Sequence, residues 1–164
     1  FITNHDENSW NGTVKERMGD ASEAMLALTY VAPGMPLIYS GQEYDMDKRL
    51  RFFEKDTIIK TKGKVWPLLE KLGKLKVSNK ALNGGKNAAS YTRTKSSNDE
   101  KILIFTREKE GDKITFIANL SNEEVSFTTE KEGESLNYLS NQKITFLKDK
   151  ELTFKPWEYQ ILID

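Results

Sequence analysis

The chain has 164 residues, 37% of them hydrophobic, and its 25 Lys plus Arg balance 25 Asp plus Glu, so the formal net charge is zero. That length allows one ordinary domain or two small ones. The charge balance gives no electrostatic reason to expect nucleic acid or an anionic membrane as partner. No apolar run approaches the ~18 residues of a transmembrane helix. The absence of cysteine excludes disulfides, thiolate catalysis and cysteine-based zinc sites, without fixing a compartment. The residues after Ile2 are polar, so no signal peptide is expected in this stretch.

In chain order, Phe1-Ile2-Thr3 reads as the end of a strand, and Asn4 to Gly19 as a loop. Asp20-Ala21-Ser22-Glu23 is a helix start, with Asp20 as cap and Glu23 three residues on, as in a capping box. Ala21, Ala24, Met25, Leu28 and Val31 give that helix an apolar face, and Pro33-Gly34 ends it. Met35-Pro36-Leu37-Ile38-Tyr39 is apolar on both faces, which suits a strand of a parallel sheet covered by helices. Strand end, helix and strand make a βαβ unit that leads into Ser40-Gly41-Gln42-Glu43.

A second helix is expected from Lys64 to Ser78. Val65, Leu68, Leu69, Leu72 and Leu75 share one side, Pro67 falls in the first turn, and Gly73 weakens it modestly. Asn83-Gly84-Gly85 is a strong breaker and marks a boundary between residues 1–84 and 85–164. Short strands follow: Ala88–Thr94, Lys101–Arg107, Lys113–Asn119, Glu124–Thr129, Glu134–Leu139, Lys143–Phe146, Glu151–Phe154 and Glu158–Ile163. Ile114, Phe116 and Ala118 alternate with Thr115, Ile117 and Asn119, and Val125 with Phe127 repeats that period. Such a series implies an antiparallel β-sandwich or barrel, and its close-spaced turns favour neighbouring hairpins. One βαβ unit cannot close a parallel sheet, whereas the β-rich part could fold alone.

In α/β domains ligands sit beyond the carboxyl ends of the strands. Asn4-His5-Asp6 lies at one such end and Gln42-Glu43 at the next. A carboxylate there can support an oxocarbenium-like cation, histidine can donate to a sugar hydroxyl, and Trp10 and Tyr39 can stack on sugar faces. Blander readings stand beside these. His5-Asp6 can be a local hydrogen bond, Glu43 a structural acceptor, Trp10 a loop anchor and Tyr39 core. Trp66 and Trp157 read as packing residues. Asp45, Asp47 and Asp56 lack the spacing of an EF-hand, and the lysine-rich Lys60–Lys64 reads as a solvated loop.

Two of these pieces together carry a resemblance. Phe1-Ile2-Thr3-Asn4-His5-Asp6 resembles the motif after the seventh barrel strand in the α-amylase family of glycoside hydrolases (family 13). Gly34 to Glu43 resembles that family's eighth strand and following loop, and Arg49 to Asp56 its segment leading to the eighth helix. Lys64 to Leu82 is similar to that helix, and the remainder to the family's β-sandwich, domain C. The fold implied is the last βα units of a (β/α)8 barrel (TIM barrel) in residues 1–84, then an all-β antiparallel sandwich in 85–164. The function implied is that of a retaining α-glucan hydrolase in starch and carbohydrate metabolism, with an α-glucan or maltooligosaccharide as partner. By motif match Asp6 is the transition-state-supporting carboxylate, with His5 as its substrate-binding neighbour; Asn4 and the stacking candidate Trp10 are the further substrate-binding residues expected. The family's nucleophile and acid/base have no counterpart in these residues, so catalytic inertness of this chain alone is expected. No metal or cofactor is expected in the chain, although the resemblance allows calcium in a parent enzyme.

Two readings from other classes are a carbohydrate-binding module using Tyr91, Tyr138 and Tyr159, whose spacing shows no shared face, and a purely structural or interaction β-domain. Self-association through an exposed barrel remnant is a further expectation. An exported parent, whether secreted, periplasmic or at the cell surface, would suit attack on external starch. Linkage preference, and hydrolysis against transfer, are not written in this stretch.

Overall fold

The structure is a computed structural model that describes residues 1–164. The chain divides into two compact units, Phe1–Leu75 and Lys76–Asp164.

In the amino-terminal unit a single π-helical turn, Glu7–Asn11, precedes helix α1 (Val14–Met18), a 3-10 turn (Gly19–Ala21) and helix α2 (Ser22–Val31). A 3-10 turn at Gln42–Tyr44 and helix α3 (Val65–Ser78) follow, the division between the units falling inside α3. Asn4 to Gly19 is therefore not the continuous loop expected from sequence. A helix as short as α1 does not stand on propensity; it is held by a capping box. The Glu16 N–H donates to Thr13 Oγ1 at 3.2 Å and the Thr13 N–H donates to Glu16 Oε2 at 2.7 Å.

The box expected at Asp20 and Glu23 does not form. Asp20 lies inside the 3-10 turn that feeds directly into α2, where the Gly19 carbonyl already accepts the Ser22 N–H. α2 buries Ala24, Leu26, Ala27, Tyr30 and Val31, leaving Met25 and Leu28 half-buried. It is apolar on most of its circumference, so the expected face is rotated. The backbone leaves the helix at Ala32, ahead of Pro33, as the residue before a proline prefers.

α3 buries Leu69, Leu72 and Leu75 on the expected side. Its first turn is capped from a distance: the Lys64 and Val65 N–H groups both donate to the Asp45 carboxylate, the latter at 2.9 Å. Gly63 permits this approach, because a Cβ there would lie 1.9 Å from Asp45 Oδ2.

The segments at 1–3 and 35–39 run without a β-ladder. Three residues offer few groups for slanted parallel bonds, and Met35, Leu37 and Ile38 are exposed rather than covered, so burial does not reward pairing.

The carboxyl-terminal unit holds eight antiparallel strands: β1 (Thr92–Thr94), β2 (Ile102–Lys109), β3 (Asp112–Asn119), β4 (Val125–Phe127), β5 (Gly133–Asn137), β6 (Gln142–Phe146), β7 (Leu152–Phe154) and β8 (Tyr159–Ile163). They form a six-stranded sheet in the order β1-β2-β3-β8-β5-β6 and a two-stranded sheet β4-β7. Neighbouring hairpins account for β1 to β3 and for β5-β6, whereas β8 inserts between β3 and β5.

The period-two pattern sorts the faces. Ile102, Ile104, Ile117 and Leu162 meet Val125, Phe127, Phe146 and Phe154 in one core, with Phe127 edge-on to Phe154 at 5.3 Å. On the other face Tyr91, Phe105, Phe116 and Tyr159 form a row of touching rings, 5.0, 5.4 and 6.1 Å apart in sequence. Tyr91 and Tyr159 thus share a face that their spacing did not reveal. Sheet register brings them together, since Phe105 stands opposite Phe116. The 3-10 turn Lys80–Leu82 packs against β2 and β3. Beside it the fully buried Arg107 donates to the Asn83 carbonyl at 2.7 Å.

Buried Asn119 joins the turn after β3 to the end of β7. Its Nδ2 donates to the carbonyls of Glu123 at 2.6 Å, Phe154 at 3.3 Å and Lys155 at 2.9 Å, while its Oδ1 accepts from the Ser121 N–H and hydroxyl.

Candidate active-site remnant and its aromatic rim

The motif at the amino-terminal end folds as a turn that its own side chains close. Asn4 Oδ1 accepts the Glu7 N–H at 2.8 Å, and the Asn4 carbonyl accepts the Asn8 N–H at 2.9 Å. His5 and Asp6 sit on the first winding, both largely exposed, with His5 Nε2 3.5 Å from Asp6 Oδ2. Glu7 turns away from them into an ion pair with Arg17 at 3.0 Å, and Arg17 also donates to the Ile2 carbonyl at 3.1 Å. An exposed carboxylate beside an imidazole can accept hydroxyl protons of a polar ligand and face a developing positive charge.

Glu43 takes the blander of its two readings. Its carboxylate accepts the Gly41 N–H at 2.8 Å, inside the turn where Gly41 has φ +94°. Gln42 is buried, with Oε1 accepting the Tyr39 N–H at 3.4 Å and Nε2 without a partner. Tyr39 is half-buried. Trp66 packs at the start of α3 as expected, 5.5 Å from the Tyr44 ring, with its Nε1 donating to Glu70.

Trp10 is 57% exposed and does not stand alone. Its ring is 5.2 Å from Phe52 and 6.2 Å from Phe53, and Phe52 lies 5.9 Å from the His5 ring. Sequence reasoning did not assign Phe52 and Phe53 to the site. Their signal was two adjacent aromatics in an otherwise charged stretch.

The residue that brings them there is Asn8, 3% exposed, which also went unassigned. Its Nδ2 donates to the Lys48 carbonyl at 3.0 Å and its Oδ1 accepts the Leu50 N–H at 2.7 Å, so one amide replaces a strand of ladder. Ser9 Oγ adds a bond to the Leu50 carbonyl at 2.7 Å.

Asp56 closes the far side of the same loop. It accepts from the Lys48 ammonium, from the Arg51 N–H at 3.0 Å and from the Thr57 N–H at 2.7 Å. The Lys48 ammonium first, then the two backbone N–H groups, hold its carboxyl well below the usual carboxylate range. Glu16 is likewise lowered, by Arg49 and by the Thr13 N–H, and Asp47 by the Thr13 hydroxyl, against burial, with help from Lys15.

Asp45, Asp47 and Asp56, which lack EF-hand spacing, are each engaged by other groups of the chain. Asp45 caps α3, Asp47 accepts the Thr13 hydroxyl at 2.6 Å and pairs with Lys15, and Asp56 faces Lys48, so donors and cations occupy them. Calcium requires six or more converging oxygens, and no group of three imidazole or carboxylate ligands stands together. A cleft of about 400 Å³ in this unit is lined by Ile2, Leu26, Gln42 and Met46 among others; neither His5 nor Asp6 lines it. No helix is long and apolar enough to cross a membrane.

Residues 91–161 match the family model described as Maltogenic Amylase, C-terminal domain. No curated protein sequence matches the chain. Among solved structures it is similar to a noncanonic maltogenic α-amylase from Thermotoga neapolitana, with TM-score 0.80 and 18% identity over 98% of this chain and 39% of that one. It is also similar to an α-amylase from Lactobacillus plantarum, with TM-score 0.71 and 24% identity over 100% of this chain and 37% of that one. A γ-CGTase from the alkalophilic Bacillus clarkii matches with TM-score 0.68 and 22% identity over 100% of this chain and 25% of that one. The chain thus spans well under half the length of each of these proteins. Helices in the amino-terminal region followed by an antiparallel β-sandwich are the fold that the chain shares with these amylase structures, and residues 91–161 are similar to a maltogenic-amylase carboxyl-terminal domain.

Proposed function

We propose that the chain is the carboxyl-terminal part of a retaining α-glucan-active enzyme, in which Asp6 supports the transition state and His5, Asn4 and Trp10 contact the sugar. The observation that carries this is the exposed His5-Asp6 pair, 3.5 Å apart, continuous with an exposed aromatic cluster. Similar structures of another protein, at 12% identity, are of complexes with maltose and maltotriose, which supports a maltooligosaccharide as the ligand class.

Residues 1–164 alone are inert in this reading. Retention needs two carboxylates about 5–5.5 Å apart across the glycosidic bond. The carboxylates nearest to Asp6 in sequence and motif are committed elsewhere, Glu7 to Arg17 and Glu43 to the Gly41 N–H. A surrounding barrel is further supported by exposed Phe1, Met35, Leu37 and Ile38, and by the buried, unpartnered Thr3 Oγ1 and Gln42 Nε2. Buried polar atoms of that kind cost about 1–3 kcal/mol each, a cost that a covering element would remove.

Incubation of the purified chain with a chromogenic maltoheptaoside, beside the His5→Ala/Asp6→Asn double variant, tests the reading. No turnover by either is expected. Turnover that the double variant loses would overturn the inertness. Light scattering should find self-association through the exposed apolar residues, and a clean monomer at high concentration would count against that surface.

A further inference from the structure

We propose that Asn83-Gly84 is a self-modification site, where the Gly84 nitrogen closes on the Asn83 side-chain amide and the residue ages to isoaspartate and aspartate, with Arg107 activating the nitrogen. The site is independent of the glucan reading. It lies in the carboxyl-terminal unit, whereas the exposed residues read above as covered by a barrel belong to the amino-terminal one.

The step balances without any oxidant. The Gly84 nitrogen bonds to Asn83 Cγ, the Cγ–Nδ2 bond breaks, and the proton of the Gly84 N–H leaves with the amide nitrogen as ammonia. The product is a cyclic imide, formed within one chain and so free of the cost of bringing two reactants together. Water then opens it. Cleavage between the main-chain carbonyl and the Gly84 nitrogen leaves isoaspartate, and cleavage at Cγ leaves aspartate.

The chain contains two Asn-Gly pairs, Asn11-Gly12 and Asn83-Gly84. In both, glycine puts no Cβ beside the attacking nitrogen. The structure separates them. Gly12 is buried, its N–H donates to the Glu7 carbonyl at 2.9 Å, and Asn11 Nδ2 donates to Glu7 Oε2 at 3.2 Å, so both reacting groups are held. Gly84 is exposed and Asn83 half-buried, and neither the Gly84 N–H nor the Asn83 side-chain amide is bonded to a protein group.

The Asn83 carbonyl supplies the second feature. When the Gly84 N–H loses its proton, the charge spreads onto that oxygen, which accepts the fully buried Arg107 guanidinium at 2.7 Å and the Ala89 N–H at 3.1 Å. Fixed donors aimed at a developing oxyanion in a buried setting stabilise it more than water does. In isoaspartate the same oxygen becomes part of a free carboxylate, a natural partner for a guanidinium.

The test incubates the intact chain in mildly alkaline buffer and follows both pairs by peptide mass spectrometry, with synthetic aspartyl and isoaspartyl peptides as standards. One net hydrogen bond holding the Gly12 N–H is worth about tenfold in rate, so Asn83 should outpace Asn11 by that factor or more. In denaturant the two should convert at comparable rates. Gly84→Ala, at φ −123° where alanine is unstrained, should slow Asn83 severalfold and leave Asn11 unchanged. Arg107→Gln should also slow Asn83; if circular dichroism shows that this variant unfolds, Gly84→Ala decides.

Asn11 converting as fast as Asn83 in the folded chain overturns the site, as does the same order of rates persisting in denaturant. Aspartate without isoaspartate would mean direct hydrolysis and overturns the imide. A folded Arg107→Gln chain that converts at the wild-type rate overturns the activating role of Arg107.

Discussion

The two units are held by different means. In Lys76–Asp164, order comes from strand registers and a dry core of Ile, Val and Phe side chains shared by two sheets. In Phe1–Leu75, much of the order around the site comes from single polar side chains that reach over about 40 positions to another backbone: Asn8 to Lys48 and Leu50, Ser9 to Leu50, Thr13 to Asp47. Ladders and cores are redundant, because many bonds and contacts share the load. A clamp made by one amide is not. A change in the β-unit should therefore be felt globally and one at a clamp locally.

Phe127→Ala should break the carboxyl-terminal unit most. It removes a side chain that is 1% exposed and packed on Phe154, and about 3–5 kcal/mol of stability should go in denaturant unfolding followed by circular dichroism. Asn119→Ala comes next, since it leaves three carbonyls without their donor; a loss of about 2–3 kcal/mol is expected in the same measurement.

Asn8→Ala sharpens the contrast. It should cost about 1–3 kcal/mol, but locally: amides near Leu50 should exchange faster while those of β2 and β3 keep their protection. Equal loss of protection in both units would erase the contrast between them.

Acid should produce a smaller effect in the same direction. Asp56 has its folded pKa lowered, so the stability it lends its loop is present above the unfolded value of about 4 and is lost as pH falls below it. The Arg51 and Thr57 amide resonances, followed by NMR from neutral pH down, should report the loop opening only in that acid range. Phe53→Ala is the smallest: at 84% exposure it should change stability by no more than about 0.5 kcal/mol.

This difference also explains what could be read from the residues alone. Period-two alternation exposes a strand wherever one face is buried, so Lys113–Asn119 and Glu158–Ile163 were expected within a residue of the observed β3 and β8. Strand order was not legible, because the insertion of β8 between β3 and β5 depends on non-local pairing. In the amino-terminal unit, Asn4, His5 and Asp6 stood out through their motif and Trp10 as an aromatic able to stack on a sugar, and the four lie on one turn and its rim. Asn8, Ser9 and Asp56 did not stand out. A polar residue in a polar stretch has no periodicity, and its partner lies far along the chain. The short α1 was missed for the same reason: its start is a Thr13–Glu16 exchange with too few residues after it to show a helical stripe.

The position of β8 has a consequence for the order in which the protein is made. It leaves the ribosome after the other seven strands of its unit, yet it bonds to β3 on one side and β5 on the other. Until it emerges, the large sheet exists only as β1-β2-β3 and β5-β6, each with an open edge facing the gap. Nascent chains should therefore pass through a stage in which two half-sheets await their keystone, and pairing between chains would compete with completion. Ribosome pausing after β7 should lengthen that exposure, whereas pausing after β8 should not.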